Sequence, residues 1–125
     1  MRAITDFHER VEKAFEPGPR GILGLVDDLL SLGSEQGLSL NWHDGQCRIR
    51  MLGAEPQEAN EIPVRKSVFR ALLARVAVLC NERTPNSVSP YGGEGELAFG
   101  NGSPSVVRVV FVNHPGEQRL TISRC

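Results

Sequence analysis

The dipeptide Asp44-Gly45 sits between two runs that alternate with a period of two, and no other feature narrows the fold of this chain as much. Before it, Leu38, Leu40 and Trp42 alternate with Ser39, Asn41 and His43; after it, Cys47, Ile49 and Met51 alternate with Arg48 and Arg50. An Asp-Gly loop supplies the positive φ angles of a type I′ turn, whose twist matches that of two antiparallel strands. Successive side chains of a strand point to opposite faces, so the pattern defines one apolar and one polar face. The spacing predicts a β-hairpin with Trp42 on its core face and Arg48 and Arg50 on the other. A lone hairpin is barely stable in water, so the rest of the chain must supply its cover.

Helical patterns supply it. Over 4–15, Ile4, Phe7, Val11 and Ala14 recur at helical spacing, and Glu9 and Lys13 stand one turn apart as an ion pair would. Pro17, Gly18 and Pro19 stop this helix. A second follows with Ile22, Leu25, Val26, Leu29 and Leu32 inward, Gly24, Asp27, Asp28 and Ser31 outward, and Gly33 as its C-cap. Beyond the hairpin and a polar connection, GAEPQEANEI, Pro63 is placed to open a helix that runs to Cys80. Its apolar face, Val68, Phe69, Leu72, Leu73, Val76, Leu79 and Cys80, is wide enough to make it the main helix on the sheet.

The C-terminal third reads as a meander. NERTPNSVSPYGGEGE is punctuation, 96–99 is a short strand, and Gly100, Asn101 and Gly102 form a tight connection. Residues 106–112 are apolar on both faces apart from Arg108, which predicts a central strand covered on both sides. After a turn at 113–116 comes a last strand with Leu120 and Ile122 inward. The sum is an α+β fold: an antiparallel sheet of about five strands, helices packed on one face, and an N-terminal helical pair. We expect one domain over 1–125, with a helical part at 1–33 and the sheet plus main helix at 37–123.

Composition removes several functions. Fourteen basic residues against 15 acidic ones give a net charge of -1, so no overall field draws the chain to nucleic acid or an anionic membrane. No apolar run approaches the roughly 20 residues of a bilayer span, and MRAITDFHERVEK has no signal-type apolar stretch, which together predict a cytoplasmic protein with no direct membrane insertion. Cys47, Cys80 and Cys125 are odd in number, widely spaced and without a C-x-x-C pair, so neither a disulfide framework nor a zinc or redox site is expected. No cofactor and no metal are expected.

The glycine-rich PYGGEGELAFGNGSP invites comparison with a phosphate-binding loop. Such a loop delivers glycines to a helix N-terminus, whose free N–H groups face the anion. Here a strand-forming run, SVVRVVFV, follows, there is no G-K-[ST], and Glu94 and Glu96 would repel phosphate, so the stretch reads as the turns of a meander. Asp27-Asp28 reads as solvated surface rather than paired acid/base carboxylates. His43 and Cys47 flank the hairpin turn without further spaced ligands. His8 and His114 have no nearby nucleophile, and no Ser-His-Asp pattern stands out. Arg108, among valines, has two readings: a salt-bridged or edge-facing residue, or a guanidinium that reaches a partner's anion.

With these elements placed, the chain over 21–122 resembles the N-terminal, PAS-like domain that precedes the RecA-like motor in type II secretion and type IV pilus assembly ATPases. The pieces that match, in order, are GILGLVDDLLSLGSEQG leading into LSLNW, the return strand CRIRMLG, the helix IPVRKSVFRALLARVAVLCNE, and then RTPNSVSP, VVRVV and GEQRLTI. Ser39 and Asn41 stand where that family carries Asp and His, and the motor domain with its Walker motifs has no counterpart here. The resemblance implies an accessory domain rather than an ATPase, with Arg108 at the position of an arginine that approaches nucleotide on a motor domain. It also implies a protein partner, a secretion- or pilus-type ATPase or its membrane platform, with the exposed sheet face or the first helix as the contact; the partner-binding residues expected here are Arg108, Arg48 and Arg50. The alternative that PAS-like sheets suggest is a small-molecule sensor with Trp42 and Phe69 lining its pocket.

Overall fold

The computed structural model describes residues 2–16, 18–100 and 105–125. Pro17, Asn101, Gly102 and the side chain of Ile4, on which readings above rest, lie outside the described residues. Helix α1 spans Arg2–Ala14 and α2 Gly21–Gln36; strands β1, Leu38–His43, and β2, Gln46–Met51, form the hairpin. A single 3-10 turn, Pro56–Glu58, precedes β3, Asn60–Pro63, and then α3, Lys66–Arg83. Three further strands, β4 (Gly92–Phe99), β5 (Ser105–His114) and β6 (Glu117–Arg124), close the chain. The described residues thus form an α+β fold of three α-helices and one antiparallel sheet, ordered β3-β2-β1-β6-β5-β4.

Two three-stranded meanders meet along β1 and β6. Leu38 faces Ile122, Ser39 faces Thr121, Leu40 faces Leu120 and Asn41 faces Arg119 across this central ladder. The hairpin forms in the expected register, with Trp42 opposite Cys47 and Leu40 opposite Ile49. Asp44 at φ 48 and Gly45 at φ 81 make the turn, as the Asp-Gly signature requires.

The core lies between one face of the sheet and the helices. Leu38, Leu40, Cys47, Ile49, Leu97, Val107, Val109, Phe111, Leu120 and Ile122 come from the strands, and Phe7, Val11, Leu25, Val26, Leu29, Leu30, Leu32, Phe69, Leu72, Leu73 and Val76 from the helices. One continuous apolar cluster therefore joins all three helices to the sheet. Two buried amides sit at its edge. Asn113 accepts from Arg70 Nε at 2.9 Å, and Gln118 donates to Pro115 O at 3.1 Å, so neither is left unpaired by burial.

Helix α2 approaches the sheet closely because it carries Gly33 where a side chain would collide. A Cβ there would stand 2.5 Å from Ile122 Cγ2 and 2.7 Å from its Cβ. Gly33 is therefore a packing residue and not the expected C-cap. The helix runs on to Gln36 and is closed by Gly37 at φ 73, whose N–H bonds Gly33 O at 2.8 Å. Gly24, expected outward, is buried against the Arg20 side chain, and Leu30 is a core residue that the outward-inward pattern missed. On α1 the Glu9–Lys13 pair does not close; Arg10 instead reaches Glu35 of α2 at 2.6 Å.

Three further expectations change. The sheet has six strands, not about five, because the polar connection contains β3, whose four residues are too few to show an alternation. Pro63 ends that strand and does not open α3: Val64 N–H bonds Gly45 O at 3.0 Å and Val64 O accepts from the Trp42 indole at 2.7 Å. These bonds hold 62–64 extended beside the hairpin tip, and the helix starts only at Lys66. Lastly, β5 is covered on one side only. Val110 is 36% exposed, and Val106 and Val112 are half-buried, on a face that carries no helix.

Candidate functional site

The uncovered face of the sheet collects polar and charged side chains in rows set by strand register. One row runs Glu61, Arg48, Asn41, Arg119, Val112; the next holds Arg50, Ser39, Thr121, Val110 and Glu94; a third holds Ser123, Arg108 and Glu96. Every arginine proposed from the sequence lies on this face, because each occupies a strand position out of phase with the core residues.

Arg48 and Arg50 are brought together. With Ser39, Asn41 and Pro56 they line a hollow of about 230 Å³ on the open face. The 3-10 turn forms one wall of it because both arginines hold the loop that carries the turn. Arg48 Nη2 donates to Pro56 O at 2.7 Å and Arg50 Nη1 to Ala54 O at 3.5 Å. Glu55 and Glu58 stiffen the turn by a reciprocal capping box, in which Glu55 N–H donates to Glu58 Oε1 at 2.9 Å. The nearest carboxylate to Arg48 is Glu61 Oε1, 3.9 Å from Nη1. The remaining guanidinium donors point toward solvent and suit an oxygen-rich group such as a carboxylate.

Arg108 stands apart from that pair. Three strand spacings separate it from Arg48 and Arg50, about 14 Å across the sheet. It is 53% exposed, and its Nη2 lies 3.7 Å from Glu96 Oε2 on the neighbouring strand. Burial therefore does not explain this charge in a strand of valines; an open face and a weak cross-strand pair do. Arg119, which sequence reasoning did not single out, joins the same face opposite Asn41 and pairs with Glu117 at 3.0 Å. Only the β1–β6 pairing reveals it, and nothing local to either strand announces that pairing.

The two aromatic residues of the sensor reading lie on the helix side. Phe69 is fully buried in the core. Trp42 is half-buried at the hairpin tip, with its N–H committed to Val64 O and Lys66 Nζ 5.9 Å from the ring. The residues weighed for chemistry also separate. His43 is exposed on the open face while Cys47 is buried on the opposite one. His8 bonds Glu58 O at 2.9 Å through Nε2, and His114 stacks on Tyr91 with ring centroids 6.1 Å apart. Burial pushes the thiol of Cys47 up to about 12 and that of Cys80 to about 11, so both stay protonated and unreactive near neutrality. Asp27 and Asp28 are exposed, and Asp27 pairs with Arg20. Among the described residues no three His, Cys, Asp or Glu side chains converge as a metal ion would require, and no helix is long and apolar enough to cross a membrane.

Fold and face together define a two-layer α+β domain, helices on one side and a charged, uncovered antiparallel sheet on the other. Compared with known proteins, the chain matches no family model and no curated protein.

Proposed function

We propose that this protein is a non-enzymatic interaction module that docks a partner protein on the open face of its sheet. The observation that carries the reading is the one-sided cover: all three helices pack on one face, while Arg48, Arg50, Arg108 and Arg119 stand exposed or half-buried on the other. The planar guanidinium fork is pre-organised for carboxylates, so less freedom is lost per hydrogen bond formed, and charged rims of this kind steer a partner as well as hold it. Val110 and Val112, between the arginines, offer apolar area for the centre of such a contact.

The resemblance to the accessory domain of secretion and pilus ATPases supplies the partner's identity in this proposal: a RecA-like secretion ATPase or its membrane platform, met in the cytoplasm. Arg108 then contacts an anionic group of the partner, and Arg48 and Arg50 anchor an acidic side chain in their hollow. The test is affinity capture from the native cytoplasm with wild-type bait and with a folded Arg48→Ala, Arg50→Ala, Arg108→Ala variant. The expected result is recovery of such an ATPase or platform component by the wild type and its loss with the variant. Equal recovery by both baits, or recovery of neither component, overturns the proposal.

A further inference from the structure

The other candidate surface is an edge, and it lies in the glycine-rich stretch. Half of that stretch is strand: β4 covers Gly92–Phe99 and is the last strand of the sheet. Its register on β5 places Leu97 opposite Val107 and Gly95 opposite Val109. Asn113 N–H bonds Tyr91 O at 2.8 Å, so Tyr91 and Asn113 form a hydrogen-bonded pair of the ladder. Such pairs alternate in an antiparallel ladder, and the N–H and C=O groups of the residues between them point away from the partner. Those residues are Gly92, Glu94, Glu96 and Ala98. Gly92 confirms the phase, since its N–H and C=O bond Ser89 O and N–H outside the sheet, both at 3.3 Å. Beyond it, the main-chain groups of Glu94, Glu96 and Ala98 have no hydrogen-bond partner among the described residues.

We infer that this edge accepts an extended peptide from a partner, bound as a seventh, antiparallel or parallel strand beside β4, with basic side chains opposite Glu94 and Glu96. Six contiguous main-chain groups with no proline among them are what strand addition needs. Residues paired with 94, 96 and 98 project to the open face, where Glu94 makes no ion pair among the described residues and Glu96 is held only by exposed pairs, 3.7 Å to Arg108 and 4.0 Å to Arg83. The alternate residues of the peptide project to the helix side, toward a hollow of about 310 Å³ that Leu79, Glu82, Arg83 and Ala98 line at the edge. Val78 lies exposed on the same helix. The fitting segment therefore alternates lysine or arginine with an aliphatic residue. A second copy fits poorly: the antiparallel register centred on Glu96 uses the whole edge but sets Glu96 against itself, and directly opposed like charges destabilise a strand pair.

The test uses a capped eight-residue peptide alternating lysine with valine, titrated into the labelled protein by NMR with hydrogen exchange. The expected result is movement and slowed exchange of the amides of Glu94, Glu96 and Ala98. A glutamate–valine peptide should not bind. Ala98→Pro, which removes one outward N–H at an edge position where proline is tolerated, should weaken binding by about tenfold. The Arg48→Ala, Arg50→Ala variant, altered four strand positions away from this edge, should bind the peptide unchanged, which separates this edge from the sheet-face contact. Absence of binding, equal binding of the glutamate peptide, or shifts that spare β4 and the hollow beside it overturns the inference. So does slow exchange of those three amides in the free protein that disappears on dilution, which would mean that a second copy already covers the edge.

Discussion

Replacing Gly33 by Ala tests how tightly α2 is seated on the sheet. In an isolated helix the change is favourable by about 1 kcal/mol, because glycine loses more backbone freedom than alanine. Here the new methyl would stand 2.5 Å from Ile122 Cγ2 and 2.7 Å from Ile122 Cβ, where real Cβ atoms essentially never sit. Ile122 is fully buried and β-branched in a central strand, so it has no free rotamer to yield into. The helix must lift by about 1 Å or the strand must bend, and overpacking of this kind costs about 1–3 kcal/mol. Set against the gain, the net expectation is a loss of up to about 2 kcal/mol, or a fall in Tm of up to about 10 °C for a chain of this size. Urea denaturation followed by Trp42 fluorescence and by circular dichroism measures it. A double-mutant cycle with Ile122→Ala adds a sharper check, since Gly33→Ala should be less damaging once the isoleucine branches are gone, with a coupling of about 0.5–3 kcal/mol. A Gly33→Ala protein more stable than the wild type, or a cycle with no coupling to Ile122, would refute the close-packed seating of α2.

Other expectations follow from burial and charge. Phe69→Ala should cost about 3–5 kcal/mol in the same assay, because the ring is wholly enclosed in the core; a loss below about 1 kcal/mol would mean the space can refill, as a ligand-binding cavity would. Arg108→Ala should shift stability by no more than about 0.5 kcal/mol, since the side chain is half-exposed and its ion pair long; unfolding would make this arginine structural and remove it from the docking face. Cys125 should react with a thiol reagent in the native protein while Cys47 and Cys80 should not, their thiols being buried. The folded-state pKa values of those two are raised from 9.0, so their contribution to stability is complete below 9.0 and declines as pH rises through about 11 and about 12. The urea midpoint should therefore fall more steeply with pH above 9.0 in the wild type than in a Cys47→Val, Cys80→Ala variant, and parallel slopes would contradict this.

The hairpin and the three helices were legible because each carries its own period and its own stop signals within a dozen residues or so. What escaped was set by partners distant in sequence. Asn60–Pro63 becomes a strand only because Arg48 and Cys47 offer it an edge, and Val64 is held extended by Gly45 and Trp42. Gly33 read as a cap because its real constraint, the Ile122 side chain, lies 89 residues away. The valines of β5 suggested cover on both faces, yet composition cannot say whether an apolar face is covered by the same chain. The grouping of Arg48 with Arg50 was visible in one strand, but the walls of their hollow come from β1 and the 3-10 turn.

The ladder between β1 and β6 bears on how the chain acquires its fold. Each meander is built from neighbours in sequence and closes short loops, whereas the seam joins 38–41 to 119–122 across some 80 residues of intervening chain. Contacts of such separation form late and slowly, because the entropy of closing the loop is lost before the contact returns anything. During synthesis the N-terminal helices and the hairpin can assemble early, but Leu38 and Leu40 then present an unpaired strand until Leu120 and Ile122 leave the ribosome. The two halves of the sheet are held in register by the last strand to be made, so a chaperone or partner that shields β1 would have its greatest effect in that interval.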